Sequence, residues 1–367
     1  MNDRLKVLQI IPSLKGGGAE KLVMQMHLLF LERGISSHII SFTGDCPLNI
    51  SNMYSLNLSY PRSVKGLFYL ALALRKFVRK YGVPDVIHTH LFTAQLFTPL
   101  ALVLLRLKTA LVTTEHSTNN RRRNTFLGKM LDKRMYKFYD AIICISDGVA
   151  SSLQAWQRLT KQKLTIVHNG IDLKKFNLRF QKLQIRRGRV IIISVGSLRL
   201  LKGYKIALRA ISSLAEQQIE YWIVGDGPEK RELENLAGKY GIADRVKFLG
   251  WRDDIPELLQ KADIFLLTSR WEGFGLVVVE AMAAGLPVVV SDVPGVDEVV
   301  GTDGLCGYLV DPQDVEGFAK RIKTLIHSNA ERRRLGKNAV LRAQKFSIEE
   351  TAQKYISLYK RLCGSDS

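Results

Sequence analysis

The chain has little cysteine, and the little it has is scattered. Cys46, Cys144, Cys306 and Cys363 are the only four in 367 residues, and no two form a Cys-x2-Cys pair. That spacing excludes a zinc finger and a dense disulfide framework, and it fits a reduced cytosolic protein. Long hydrophobic runs are missing as well. The most apolar stretch, residues 91–107, is interrupted by Gln95, Pro99 and Arg106 and falls short of a transmembrane segment; it reads as a helix buried at least partly against a sheet. From Met1 the chain passes through Arg4 and Lys6 straight into an apolar run at 7–11, with no signal-peptide core and no small-residue cleavage site, so export is not expected.

Acidic residues are scarce in one half only. The chain carries 54 Lys and Arg against 34 Asp and Glu, a net charge of +20, and residues 1–180 hold 26 of the bases but only 10 of the acids. The first half is therefore the candidate for an anionic membrane surface or a phosphate-bearing ligand, with a plain solvated face as the alternative. Zinc-finger, homeodomain and RNA-recognition signatures are absent, which argues against a nucleic-acid module. At 46% hydrophobic and 24% charged the composition is ordinary for a folded protein, and 367 residues favour two domains.

Short apolar runs alternate with longer amphipathic ones. Strands are predicted at 7–11, 36–42, 86–89, 110–114, 141–145 and 164–168, with helices such as 20–33 and 64–80 between them. This is βαβ grammar, which favours a parallel sheet covered by helices. A turn-forming segment from His168 to Asp172 and a basic stretch to Arg189 interrupt it. The grammar then restarts with strands at 190–195, 220–224, 246–249, 264–268 and 287–290, and it ends in three helices, the last at 348–362. Two α/β halves of similar size predict a central cleft, because open parallel sheets bind ligands beyond their strand C-termini.

Four strand-to-helix junctions carry candidate chemistry. Gly16, Gly17 and Gly18 follow the first strand, where glycines let backbone N–H groups approach a ligand at a helix N-terminus. Their spacing matches neither the dinucleotide fingerprint nor a P-loop, and an ordinary strand-to-helix turn stands as the equal alternative. Gly196 to Gly203 includes Ser197 and the cations of Arg199 and Lys202, which suit phosphate oxygens, unless the segment is a plain turn. Gly225 and Gly227 would clear room for a planar base or a ribose, unless they simply make a turn. The fourth junction runs from Ser269 through Glu272, Phe274, Gly275, Leu276 and Glu280 to Pro287.

With its Glu-x7-Glu spacing, its intervening Phe-Gly and the Ala-x-Ala-x-Gly-x-Pro-Val that follows, this last segment resembles the signature of the retaining family 4 glycosyltransferases. The resemblance spans nearly the whole chain and includes the Gly16–Gly18 turn, His116, the linker 168–172 and the Lys202 loop. It implies the α/β GT-B fold, two Rossmann-like domains facing across a central cleft. Residues 1–172 would bind the acceptor, 173–347 the nucleotide-sugar donor, and 348–367 would cross back to the first domain.

The same resemblance implies the roles. Gly17 and Gly18 would approach the donor phosphates, and Lys202 would stabilise the departing diphosphate. Ser197 stands where the family has an arginine, so Arg199 would supply the second positive charge, or the clamp has only one. Glu272 would contact the transferred sugar, Glu280 the ribose, and His116 the sugar or the reaction centre; His88 and His90 have no clear place. Gly225, Gly227, Phe274, Gly275 and Leu276 would line the donor site. The implied reaction is retaining transfer of a hexose or N-acetylhexosamine from a UDP-sugar. The nucleotide sugar is a co-substrate, there is no further cofactor, and the lack of an Asp-x-Asp motif argues against an obligatory metal.

A polyprenyl-diphosphate-linked glycan is the preferred acceptor, with a small soluble acceptor or a non-catalytic sugar-binding scaffold as alternatives. The run Arg121, Arg122, Arg123, Lys129, Lys133, Arg134 and Lys137 is interleaved with Phe126, Leu127, Met130, Leu131 and Tyr136. Such mixing suits an anionic bilayer or a lipid diphosphate, assisted by Lys65, Arg75, Lys76, Arg79 and Lys80. It equally suits a helix packed on its own domain. The expected location is the cytoplasmic face of the cell membrane, by peripheral attachment.

Overall fold

The β-branched runs become the strands of two parallel sheets. The computed structural model describes residues 4–44, 50–60, 63–118, 125–157, 163–176, 189–214 and 218–364. It divides the chain into one unit of Met1–Gly170 with Ile348–Ser367 and a second of Ile171–Ser347.

The first unit holds β1 (Lys6–Ser13), β2 (Ser36–Thr43), β3 (Met53–Ser55), β4 (Val86–His90), β5 (Ala110–Glu115), β6 (Ala141–Cys144) and β7 (Leu164–Ile166). Their spatial order is β3-β2-β1-β4-β5-β6-β7, with every pairing parallel. The second unit holds β8 (Val190–Val195), β9 (Ile219–Val224), β10 (Val246–Gly250), β11 (Ile264–Leu267), β12 (Val288–Ser291) and β13 (Gly307–Val310), in the order β10-β9-β8-β11-β12-β13. Each sheet is wound outward in both directions from its first strand, so the order reverses between β1 and β4 and again between β8 and β11. At such a reversal the flanking loops diverge and leave a crevice beyond the strand C-termini.

Two strands escape the sequence pattern. β3 has three residues and β13 four, too few for a periodic signal, and β13 begins at Gly307, which carries no side chain to pack. Strand 164–168 is shorter than its apolar run and stops at Ile166. The stretch 91–107 is a helix, Leu91–Leu105, whose Ala94, Phe97 and Ala101 are buried while Val103 and Leu104 are exposed. Among the described residues no helix is long and apolar enough to cross a membrane.

The helix Ile348–Leu362 belongs to the first unit although the chain reaches it last. Tyr355 and Tyr359 are fully buried in one apolar cluster with Val7, Met26, Phe30, Val86 and Val112. Phe30 meets the ring of Tyr359 edge-on at 6.0 Å. The Arg33 guanidinium donates to the Glu349 carbonyl at 3.1 Å and to Gln353 Oε1 at 3.2 Å. Truncating an aromatic ring in such a core costs about 3–5 kcal/mol, so the helix is a structural part of this unit.

Gly203 shows how tightly the second sheet holds its loops. It precedes the helix Tyr204–Ser212 at φ +66°, and a Cβ there would run into the backbone carbonyl of Thr268, just past β11. Gly241, at φ +67°, faces open space. Gly241→Ala therefore carries only the left-handed penalty, about 1–2 kcal/mol. Gly203→Ala adds a backbone collision and is expected to lose about 3 kcal/mol or more in chemical denaturation. Equal losses in the two variants would refute the close approach.

Candidate functional site

In the second unit the loops after β8 and β11 flank the reversal, and three hydrogen bonds fix them. The Tyr204 hydroxyl donates to the Gly196 carbonyl at 3.0 Å, the Thr268 hydroxyl donates to the Gly203 carbonyl at 3.0 Å, and the Arg270 N–H donates to the Leu201 carbonyl at 2.8 Å. Lys202 ends a short 3₁₀ turn, Leu200–Lys202, and its Nζ donates to Glu272 Oε1 at 2.6 Å. The buried Ser269 hydroxyl donates to the same oxygen at 2.7 Å. The Lys202 side chain is 25% exposed and that of Glu272 12%. A charge pair this accessible can exchange partners: an incoming phosphate competes for the ammonium, and sugar hydroxyls can donate to the released carboxylate.

The remaining predicted residues of this unit lie on the loops after β8 and β9 and on the segment after β11. Ser197 and Arg199 are exposed on the loop after β8. Gly275, at φ +87°, turns the chain into the helix Leu276–Ala283, and Glu280 is its fifth residue and half-buried. The Phe274 ring is buried edge-on against Phe346 at 5.5 Å, so what this residue has to offer a ligand is its backbone. Gly225 and Gly227 sit differently from the reading that they clear room for a base or ribose. The space a Cβ would take at Gly225 is filled by the Gly196 carbonyl, and at Gly227 by the Leu198 carbonyl. Their lack of a side chain lets the loop after β9 lie directly on the loop after β8.

In the first unit Gly17 caps the helix Gly18–Glu32, and the Glu20 carboxylate folds back over it, where burial raises its pKa. On the far side of the reversal, β4 ends at His90, and Leu91 takes φ +64°, a conformation that leucine rarely adopts. His116, just past β5, is half-buried and places Nε2 3.3 Å from His90 Nδ1. His88 lies beside His90 with ring centroids 4.1 Å apart. Burial lowers the pKa of His116 to about 4, and that of His88 to about 3 with help from the neighbouring His116.

Ser269, Tyr204 and the His88–His90 pair were not assigned a place by the sequence. Ser269 stood three residues before Glu272, a spacing with no periodic meaning in a loop. His88 and His90 alternate along β4, which puts both on one face of the sheet, and that signal was available.

The basic helices are outward-facing where they are described. Phe126–Met135 exposes Phe126 and Leu127 together with Lys129, Lys133 and Arg134; Val64–Tyr81 exposes Val64 and Phe68 with Lys65, Arg75, Lys76, Arg79 and Lys80. Tyr136, by contrast, is buried and donates to Glu115 at 2.6 Å, so it belongs to the core. Arg121, Arg122 and Arg123 lie outside the described residues.

Comparison with known proteins matches residues 16–175 to the family model "Glycosyltransferase Family 4" and residues 175–342 to "Glycosyl transferases group 1". The D-inositol 3-phosphate glycosyltransferase of Mycobacterium marinum is 33% identical over 61% of this chain and 51% of its own length. An Escherichia coli protein, UDP-Gal:alpha-D-GlcNAc-diphosphoundecaprenol alpha-1,3-galactosyltransferase, is 28% identical over 71% of this chain and 70% of its own. The chain spans about half the length of the first curated relatives it matches. Among solved structures, Anabaena Alr3699/HepE in complex with UDP superimposes with a TM-score of 0.81 at 22% identity, covering 97% of this chain and 100% of that one.

The depressed histidines carry a pH signature. Between pH 6.5 and about 4 the unfolded chain binds protons that folded His116 and His88 refuse, so stability is full above pH 6.5 and falls as the pH drops through that window. Each such histidine contributes a slope of up to about 1.4 kcal/mol per pH unit. The melting temperature of His116→Asn is expected to fall less steeply than wild type between pH 6.5 and 4.5. Parallel slopes in the two proteins would show that His116 titrates normally.

Proposed function

We propose, from the premise that this chain has the GT-B fold and is related to bacterial glycosyltransferases of polysaccharide biosynthesis, that it transfers a hexose or N-acetylhexosamine from a nucleotide diphosphate sugar with retention of anomeric configuration. The observation that carries this reading is the Lys202–Glu272 pair at the reversal of the second sheet, with Glu280 on the helix that follows. The donor diphosphate takes Lys202 from Glu272, and Arg199 adds a second cation. Glu272, still held by Ser269, then accepts hydrogen bonds from the sugar, while Glu280 accepts from the ribose. Gly17 and Gly18 are assigned to the donor phosphates and His116 to the sugar.

In the step itself the acceptor oxygen bonds to C1 on the face from which the diphosphate leaves. The C1–O bond to phosphate breaks, and a phosphate oxygen takes the acceptor proton. Catalysis then rests on positioning and on the stabilisation of developing phosphate charge, and no metal is assigned to it. UDP is the nucleotide favoured by the names of the Escherichia coli relative and the Anabaena structure.

A polyprenyl-diphosphate-linked glycan is the assigned acceptor, with peripheral attachment to the cytoplasmic face of the membrane. The diphosphoundecaprenol in the Escherichia coli relative's name supports it, as do the exposed basic and apolar residues of the first unit. The Mycobacterium marinum relative favours a second reading, a small soluble acceptor.

Purified protein supplied with UDP-, GDP- and ADP-sugars, with and without membrane lipid extract and EDTA, is expected to release nucleotide from one UDP-sugar, dependent on lipid and indifferent to EDTA. Transfer to a soluble acceptor without lipid would select the second reading. Lys202→Ala and Glu280→Ala are each expected to lose about 10²-fold or more in turnover while remaining folded. Normal turnover in both would overturn the donor-site assignment.

A further inference from the structure

Three of the first unit's histidines, His88, His90 and His116, form a row whose proton positions are constrained by its surroundings. His88 is fully buried, with Nδ1 2.6 Å from the Tyr359 hydroxyl and Nε2 2.7 Å from the Thr114 hydroxyl. Both partners are hydroxyls, which donate or accept as required, so His88 accepts either tautomer. His90 is different. It is 1% exposed, its Nδ1 lies 3.3 Å from His116 Nε2, and its own buried Nε2 has no hydrogen-bond partner among the described residues.

A neutral imidazole carries one ring proton, and an Nδ1···Nε2 hydrogen bond needs one proton between the two rings. If His116 supplied it, His90 would be the Nε2–H tautomer and would bury a donor with nothing to receive it. If His90 supplies it, the buried Nε2 is a bare ring nitrogen whose one lone pair has no donor among the described residues. Among buried backbone groups an orphaned N–H is scarcer than an under-satisfied acceptor, and we carry that ranking over to the ring nitrogens. The backbone holds the two rings at this spacing in either arrangement: β4 pairs with β5 through His90 and Thr114, two residues before His116, and Leu91 turns the chain immediately after His90.

We propose that His90 is a positioning residue which, as the Nδ1–H tautomer, donates to His116 Nε2 and thereby fixes His116 as a neutral hydrogen-bond donor through its Nδ1–H. Burial keeps the ring neutral at physiological pH. His116 Nε2 is then occupied and cannot collect the acceptor proton. In transfer, His116 donates to a sugar or phosphate oxygen and does not act as a base. Tyr359 and Thr114 hold the His88 ring on which His90 rests, so the last helix contributes to the aim of this donor. The consequence for transfer rests on the function proposed above; the tautomer does not.

Two measurements separate the two statements. Two-bond ¹H–¹⁵N correlation spectra of ring-labelled protein, assigned with His90→Asn and His116→Asn, are expected to show a protonated Nδ1 and a bare Nε2 on both residues. A protonated Nε2 on His116 overturns the proposal whether or not the protein transfers sugar. In the assay, His90→Asn keeps a donor near the place of Nδ1, and His90→Leu has none. His90→Asn is expected to stay within about threefold of wild-type kcat and His90→Leu to fall about tenfold or more, with donor KM unchanged in both. Equal losses in the two variants would reduce His90 to a packing residue. A wild-type protein that transfers from no donor would refute the proposed function and leave the spectra to decide the tautomer.

Discussion

Both sheets depend on a single topological constraint: strands are added outward from the first strand in two opposite directions. Right-handed parallel connections then place helices on both faces, and nothing crosses the point where the direction changes. In the second unit the loops on either side of that point are held by one another, as the bond from the Arg270 N–H to the Leu201 carbonyl shows. They bring together a lysine and a glutamate from positions 202 and 272. In the first, they bring the glycine turn after β1 and the histidines that end β4 and follow β5 to the same end of the sheet.

The close backbone approaches follow from the same constraint. Loops that leave neighbouring strands must pass each other before they diverge, and side chains at the crossing would hold them apart. Gly203 lies against Thr268, Gly225 against Gly196, and Gly227 against Leu198. These glycines define where the Lys202 loop sits, and Ser269 and Tyr204 fix it further through hydrogen bonds to Glu272 and Gly196.

Much of this was legible in the amino-acid order. Eleven of the strands fall on apolar runs bounded by turn residues, because a strand buried on both faces needs β-branched side chains at nearly every position. The Glu-x7-Glu spacing, the lysine loop and the return of the final helix were legible through the resemblance to a known family, not through periodicity. β3 and β13 were not legible because three or four residues carry no period. The roles of Gly225 and Gly227 were ambiguous because a missing Cβ looks the same whether a ligand or a main chain fills the space. The histidine row could not be read from order alone: His88 and His116 are 28 positions apart, and only the parallel register of β4 and β5 makes them neighbours.

The helix Ile348–Leu362 has a consequence for how the chain acquires its shape during synthesis. The first unit is begun at the first strand, yet His88 meets the hydroxyl of Tyr359 across a separation of 271 residues. As the chain is made, the whole of Ile171–Ser347 emerges before the helix that completes the apolar cluster around Phe30 and Val112. The second unit, contiguous in the chain, can close first, while the first waits with an uncovered sheet face. Of the two units, the one begun first is therefore the one completed second, and until then the apolar residues around Phe30 and Val112 lack the cover of Tyr355 and Tyr359.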